Sequence, residues 1–351
     1  MAVARTVDVQ RRLLGWFDAN RRDLPWRRSR DPYRILIAEY ILQRTRVVSG
    51  IPYYERFLDR FPDVESLARA SVEEVLRVWE GLGFYRRARN LHAAARAIVE
   101  EHGGRIPTDA DTLSELPGIG PYTAGAVASI AFGQRVPAVD GNAVRVLCRI
   151  YRVEGDITRG ETRRRLDQLA RSLVPRTRPG EFNQALMELG ATVCLPVSPL
   201  CRGCPISGLC LAYRAGTQGS LPRKGVPRRP REVRVAFALV RSKDRVLLVR
   251  RPSNGLLAGL WSLPGGELRE ADERDALRNI VHGQTGLRIR LGKRLAHLDH
   301  RFSHRRWTGT VYAARAEGSR LAPGARWVGP AEISGIPVAT FTRRALSPVK
   351  P

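Results

Sequence analysis

Lysine is almost missing from this 351-residue chain. The only four are Lys224, Lys243, Lys293 and Lys350, so residues 1–223 contain none. A mechanism in those residues cannot run through a side-chain amine and a Schiff base. No stretch approaches 18 uninterrupted apolar residues, which excludes a membrane-spanning segment. Residues 1–10 lack the apolar core of a secretion signal, so the cytoplasm is the expected compartment. Acids are also in short supply: 34 Asp and Glu face 60 Lys and Arg, a formal net charge of +26. That imbalance points to a polyanionic partner, with nucleic acid foremost. Arginine runs at 163–165, 228–231 and 305–306 concentrate it.

Cysteine is scarce, yet four of the five fall in one short loop. Cys194, Cys201, Cys204 and Cys210 have the spacing C-x6-C-x2-C-x5-C, directly after a helical apolar run at 182–193. Four thiolates suit zinc or an iron–sulfur cluster. Zinc ribbons bring two short C-x2-C knuckles together, whereas here only one pair is close, which favours a 4Fe-4S cluster. Two disulfides are the alternative, disfavoured in a reducing compartment. Cys148 sits in a mixed helical segment and reads as core packing.

The length allows two domains with separate cores. Helical periodicity fills residues 1–215, with two apolar patterns in 35–61 and further ones at 72–79, 88–102, 123–132, 143–151, 162–173 and 182–193. Gly, Pro and Asp mark the breaks. Residues 216–232 are rich in Pro, Gly and Arg and read as an extended basic linker. Beyond it, 233–240 and 245–250 are β-branched, with a hairpin turn at Ser242-Lys243-Asp244. A second strand pair is expected at 295–300 and 307–313, around a loop at 301–306, and a helix at 270–282. The fold class is therefore multidomain: an all-α domain followed by an α+β domain at 233–351.

Three segments of the helical part carry chemistry. Residues 116–123, Leu116-Pro117-Gly118-Ile119-Gly120-Pro121-Tyr122-Thr123, have the form of a helix–hairpin–helix turn. Its glycines, Gly118 and Gly120, let the backbone bend and turn N–H groups outward to a phosphate. Such a turn positions DNA without reading its sequence. Asp140, in Val139-Asp140-Gly141-Asn142, stands where a helix starts; it is both a natural N-cap and a carboxylate that can face a sugar cation. Glu39 is surrounded in sequence by Ile35, Leu36, Ile37, Ile41 and Leu42, and such surroundings favour its protonated form. A protonated Glu opposite an ionised Asp is a pair able to break a glycosidic bond.

Taken together, Leu24-Pro25-Trp26-Arg27, Asp31-Pro32-Tyr33, the run from Ala38 through Gln43-Arg44-Thr45, Gly81-Leu82-Gly83-Phe84-Tyr85 and Val139-Asp140-Gly141-Asn142 resemble the MutY family. Those are the adenine DNA glycosylases of the endonuclease III superfamily, and the similarity covers nearly the whole chain. The resemblance implies a helix-hairpin-helix glycosylase domain with a 4Fe-4S cluster loop at 194–210. It implies a monomer acting on duplex DNA at adenine opposite 8-oxoguanine or guanine, associated with the nucleoid. Glu39 would then protonate N7 of a flipped adenine, and Asp140 would stabilise the sugar cation on a configuration-retaining path through a covalent intermediate. Tyr122 and Asn142 would hydrogen-bond within the site, and Arg22, Leu24, Trp26 and Val47 would line the adenine pocket. Gln43, Arg44, Thr45 and the 116–120 turn would contact DNA, with Phe84 as a wedge in the opened duplex. Bifunctional relatives carry a catalytic Lys where Tyr122 stands, so a glycosylase that leaves the abasic strand uncut is implied. The cluster reads as a structural clamp on a basic loop that includes Arg202.

The segment Trp261-Ser262-Leu263-Pro264-Gly265-Gly266-Glu267 resembles the start of a Nudix box. With the last Gly of the box on Gly286, Ala271, Asn279, Ile280, Gly283 and Gln284 occupy the places of Glu, Arg, Glu, Glu and Glu. Without those carboxylates little can hold Mg²⁺, so a Nudix-like domain without hydrolysis is expected. Phe302-Ser303-His304 matches the motif with which the MutY family checks for 8-oxoguanine, whose N7–H and O8 edge a Ser hydroxyl can serve. Two positions depart from the family pattern: Arg44 replaces a Gln, and Phe84 a Tyr. Arg44 keeps open a thymine or uracil mismatch glycosylase; a silent damage-binding protein and a nucleotide hydrolase are the other readings.

Overall fold

The computed structural model describes residues 2–225, 229–252, 254–269, 272–302 and 304–346. The chain divides into two compact units, Met1–Arg69 with Asn90–Pro227, and Ala70–Arg89 with Arg228–Pro351. The α-helices of the first part end at Arg214 and the first strand begins at Arg231. Segment 70–89, although helical, groups with the second unit.

The helices are α1 (Ala2–Asn20), α2 (Pro32–Leu42), α3 (Val47–Arg60), α4 (Val64–Arg69), α5 (Val72–Val78), α6 (Arg86–His102), α7 (Ala110–Glu115), α8 (Pro121–Phe132), α9 (Gly141–Ile150), α10 (Gly160–Leu173), α11 (Pro179–Thr192) and α12 (Leu211–Arg214). Each expected apolar run is found in one of them. The largest shifts of start, three residues at α2 and α11, fall where proline opens the helix, as it also does at α8; its fixed φ suits the first turn and no N–H is needed. Among the described residues no helix is long and apolar enough to cross a membrane.

Two helices form the centre of the first unit. In α2 every residue from Ile35 to Ile41 is buried, and in α8 every residue from Thr123 to Ser129. A helix with no polar face must be covered on all sides, and these two pack against each other. Gly125 is required at the next crossing, where a Cβ would lie 2.1 Å from the Pro137 carbonyl oxygen. A second core joins α1, α9, α10 and α11 through Phe17, Leu147, Leu166 and Phe182, and Cys148 is part of it. Ile206 of the cysteine loop is buried there too.

The second unit holds a seven-stranded mixed sheet, β1 (Arg231–Ser242), β2 (Arg245–Arg250), β3 (Trp261–Ser262), β4 (Gly265–Glu267), β5 (Arg288–Arg301), β6 (Arg305–Glu317) and β7 (Ala325–Val328), in the order β3-β2-β1-β6-β5 with β4 on β1 and β7 on β2. Helices α13 (Glu273–Thr285), α14 (Pro330–Ile333) and α15 (Thr340–Leu346) complete it. The β1–β2 hairpin turns at Lys243, φ +54°. The strands expected at 295–300 and 307–313 are parts of the longer β5 and β6, which leaves only 302–304 as their loop. β1 and β6 run parallel, a pairing of distant segments that alternation alone does not specify. Helix α13 starts three residues after the expected position because Asp272 caps it, accepting from the Asp275 N–H; Glu270 and Ala271 lie outside the described residues.

Candidate active site

Six stretches of the first unit, α11 among them, meet at a pocket of about 140 Å³. The 3₁₀ turn at Pro25–Arg27 supplies Trp26 and Arg27, with Arg22 and Leu24 just before it. The centre of α2 supplies Glu39, and the start of α8 supplies Tyr122. Asp140 and Asn142 arrive from the N-terminus of α9, and Thr45 and Val47 from the chain leading into α3. Nine of the residues singled out in the sequence therefore line one cavity.

The two carboxyl groups differ in their surroundings. Glu39 is 6% exposed. Burial pushes its carboxyl up to about 7, the nearby Asp140 adds to this, and a hydrogen bond from the Tyr122 phenol opposes it. Burial raises Asp140 as well, but it is held back by the Ala143 N–H at 2.7 Å, the Asn142 amide at 2.8 Å and the charge on Arg145. The N-cap predicted for Asp140 is present, and its second oxygen is the one that Asn142 holds. One carboxyl thus keeps its proton near neutrality while its neighbour accepts two donors that favour the ion.

Glu188 was not among the residues read from sequence. It lies on α11 with its side chain 1% exposed, paired with Arg22 at 2.6 Å and Arg27 at 2.8 Å. Although burial works against its ionisation, the bonds from Arg22 and Arg27 bring it down to about 2. The result is a fixed acceptor and two fixed guanidinium groups beside the buried carboxyl of Glu39. An acid inside the apolar run at 182–193 was the available signal, the same one that marked Glu39.

The remaining site residues lie elsewhere in their units. Gln43 ends α2 and donates to the Thr123 hydroxyl at 3.3 Å. Arg44 is exposed with φ +63°, a conformation uncommon outside glycine. In the 116–120 turn Gly118 has φ +74°, and a Cβ there would lie 2.3 Å from the Asn90 amide nitrogen. The Leu116 side chain is buried. Phe84 is 48% exposed and has φ +47°. Phe302 packs edge-on to His300 and Trp307, and His304 follows in the same loop. Ser303 lies outside the described residues.

Cys194, Cys201, Cys204 and Cys210 line one narrow cavity walled by Val146, Ile150 and Leu189. The buried Arg149 donates to the Leu195 carbonyl at 2.7 Å and lies 3.3 Å from Cys194 Sγ. Arg145 joins this loop to the pocket: it donates to the Cys194 carbonyl at 2.7 Å and to the Asn142 side chain at 2.8 Å. Among the described residues no three His, Cys, Asp or Glu side chains converge on a single ion.

In the Nudix-like unit, Gln284 stands at an expected carboxylate position and serves the fold. Its amide accepts from the Gly265 N–H at 2.8 Å and donates to the Gly265 carbonyl at 3.1 Å. Ile280 and Gly283 line the same cleft of about 620 Å³, which also receives Arg250, Arg251 and Arg269.

A helix–hairpin–helix unit with a buried Glu and a capped Asp in one pocket, followed by a Nudix-like unit, defines the class: a base-excision DNA N-glycosylase. Residues 37–172 match the family described as HhH-GPD superfamily base excision DNA repair protein, and residues 235–347 match the NUDIX domain. The adenine DNA glycosylase of Rattus norvegicus is 38% identical over 97% of this chain and 78% of its own length. That of Homo sapiens is also 38% identical, over 97% and 74%. The chain belongs to the adenine DNA glycosylase family. Among solved structures, a thermostable thymine-DNA glycosylase is 32% identical, covering 61% of this chain and 99% of its own, with a TM-score of 0.55. An endonuclease III–DNA complex at 23% identity, covering 60% of this chain and 95% of its own, shares the fold with a TM-score of 0.51.

Proposed function

We propose that this protein removes adenine paired with 8-oxoguanine or guanine in duplex DNA and leaves the abasic strand uncut. The pairing of Glu39 with Tyr122 beside the capped Asp140 carries the reading. As the C1′–N9 bond breaks, its electron pair moves into the adenine ring, and Glu39 delivers a proton to N7. Asp140 faces the positive charge that develops on the sugar, and a water molecule then adds at C1′ and gives up a proton, which leaves the abasic sugar. Trp26 and Leu24 offer apolar wall to the flipped base, and Glu188 with Arg22 and Arg27 offers fixed polar partners. Flipping costs a few kcal/mol, least at a mispair.

The absence of Lys from residues 1–223 supports base removal without strand scission. Tyr122, at the position where bifunctional relatives hold their amine, is committed to Glu39 instead. Phe302-Ser303-His304 supports inspection of 8-oxoguanine. Four thiols on one cavity with a buried guanidinium against Cys194 fit a 4Fe-4S cluster, which Cys194, Cys201, Cys204 and Cys210 would hold as thiolates with Arg149 as counter-charge. When bound, the cluster would fix the loop that bears Arg202.

Arg44 and the likeness to a thymine-DNA glycosylase favour a second reading, thymine excision from T·G. Single-turnover assays on A·8-oxoguanine, A·G, T·G and U·G duplexes separate the two. The expected order puts A·8-oxoguanine first, and faster release from T·G overturns the proposal. In the same assays borohydride should trap no protein–DNA adduct.

A further inference from the structure

One short helix of the second unit touches both segments to which that unit's DNA contacts are assigned. On one side of α15, the ring of Phe341 lies 4.6 Å from Phe237 and 5.8 Å from Trp307. Trp307 in turn meets Phe302 at 5.0 Å, and His300 meets Phe302 at 4.6 Å. The hairpin is tight at this point, with the Phe302 N–H donating to the Arg305 carbonyl at 2.8 Å. Two residues along α15, and so about 200° around the helix, Arg343 grips Glu80 with two bonds, the Nη2 contact at 2.7 Å.

Glu80 opens the loop that carries Phe84. Within it the Trp79 indole donates to the Gly83 carbonyl at 3.1 Å, and Arg87 donates to the Leu82 carbonyl at 3.2 Å. The same guanidinium lies over the rings of Trp79 and Phe84, at 5.2 and 5.6 Å. Gly81, Gly83 and Phe84 all have positive φ. For a phenylalanine such a backbone persists only where its surroundings over-determine it. Further ties hold the segment: Arg250 pairs with Glu73, and Arg89 donates to the Ala258 carbonyl.

We propose that α15 is a strut joining the Phe302 hairpin to the Phe84 loop, with Arg343 and Glu80 as positioning residues for wedge insertion at an adenine opposite 8-oxoguanine. The inference rests on the reading of Phe84 as a wedge and of 302–304 as the lesion contact. Hairpin and wedge then move as one body, and contact with the lesion sets the depth of the wedge. Neither Arg343 nor Glu80 touches the reacting atoms.

A double-mutant cycle on the full chain tests it, with 2-aminopurine opposite 8-oxoguanine reporting flipping and single-turnover excision reporting rate. Phe84→Ala and Arg343→Gln should each reduce flipping by about 5-fold or more, and the double variant should lose little beyond either one. The exchange Glu80→Arg with Arg343→Glu should restore flipping, while Arg343→Lys, which keeps charge but not the fork, should fall between. Melting curves identify any variant that fails to fold, and the Lys variant then carries the test. If Phe84→Ala impairs flipping while Arg343→Gln and Arg343→Lys do not, or if the losses multiply independently, the strut is overturned. If Phe84→Ala itself has no effect, the wedge reading falls, and the strut with it.

Discussion

Glu39, proposed as the acid, also carries a stability cost. Its carboxyl is raised to about 7 from an ordinary 4.5, so the folded protein binds a proton that the unfolded chain has released between those values. Stability supplied by the neutral form is complete below pH 4.5 and is lost as pH rises through 7. The shift corresponds to about 3 kcal/mol. Glu39→Gln, which cannot ionise, should therefore melt above the wild type at pH 8, with the gap closing near pH 4.5. The same variant should excise adenine about 10²–10⁴-fold more slowly. Excision at the wild-type rate would remove Glu39 as the acid. Glu188 behaves oppositely: its depressed carboxyl supplies stability above pH 4.5 that is lost only as pH falls through about 2.

At the scale of elements, α9 joins the carboxylate of the pocket, Asp140, to the cysteine loop. Its N-cap is Asp140, and one turn on, Arg145 holds both Asn142 and the Cys194 carbonyl. Arg145→Gln should free Asn142 and so loosen Asp140, reducing the excision rate more than DNA affinity; an equal loss of both would argue against this link. The sheet has a comparable point at Gly309 on β6, where a Cβ would lie 1.7 Å from the Val235 carbonyl oxygen. Gly309→Ala must spread the parallel β1–β6 pair and should cost roughly 1–3 kcal/mol, read as a lower melting temperature. Helix positions were legible because each apolar run at helical period marks one buried face, although proline moved some starts outward. The parallel pairing was not, because it joins strands some 70 residues apart with no local signal.

The whole molecule carries a net charge of +26, and that sets how it meets DNA. Duplex affinity should fall about 10³-fold or more between 50 and 200 mM salt if six or more phosphates are neutralised. Arg202, exposed in the cysteine loop, should account for about one unit of that slope, so Arg202→Gln should lower it by about 1 and weaken binding to all duplexes alike. An unchanged slope would take the loop out of the DNA contact.

The sequence by itself determined which groups are present. It supplied four clustered cysteines, no Lys before residue 224, a Glu in an apolar helix, an Asp at a helix start and a Nudix box stripped of its carboxylates. These are properties of residue type and short spacing, which survive without knowledge of the fold. Tertiary structure decided what meets what. It brought Glu39, Tyr122 and Asp140 into one cavity from three separate helices, and it placed Glu188 between two arginines more than 160 positions away. It also assigned segment 70–89 to the second unit, where Arg343 grips Glu80. Such pairings depend on how buried faces close over one another, and burial then sets the charge state of each acid.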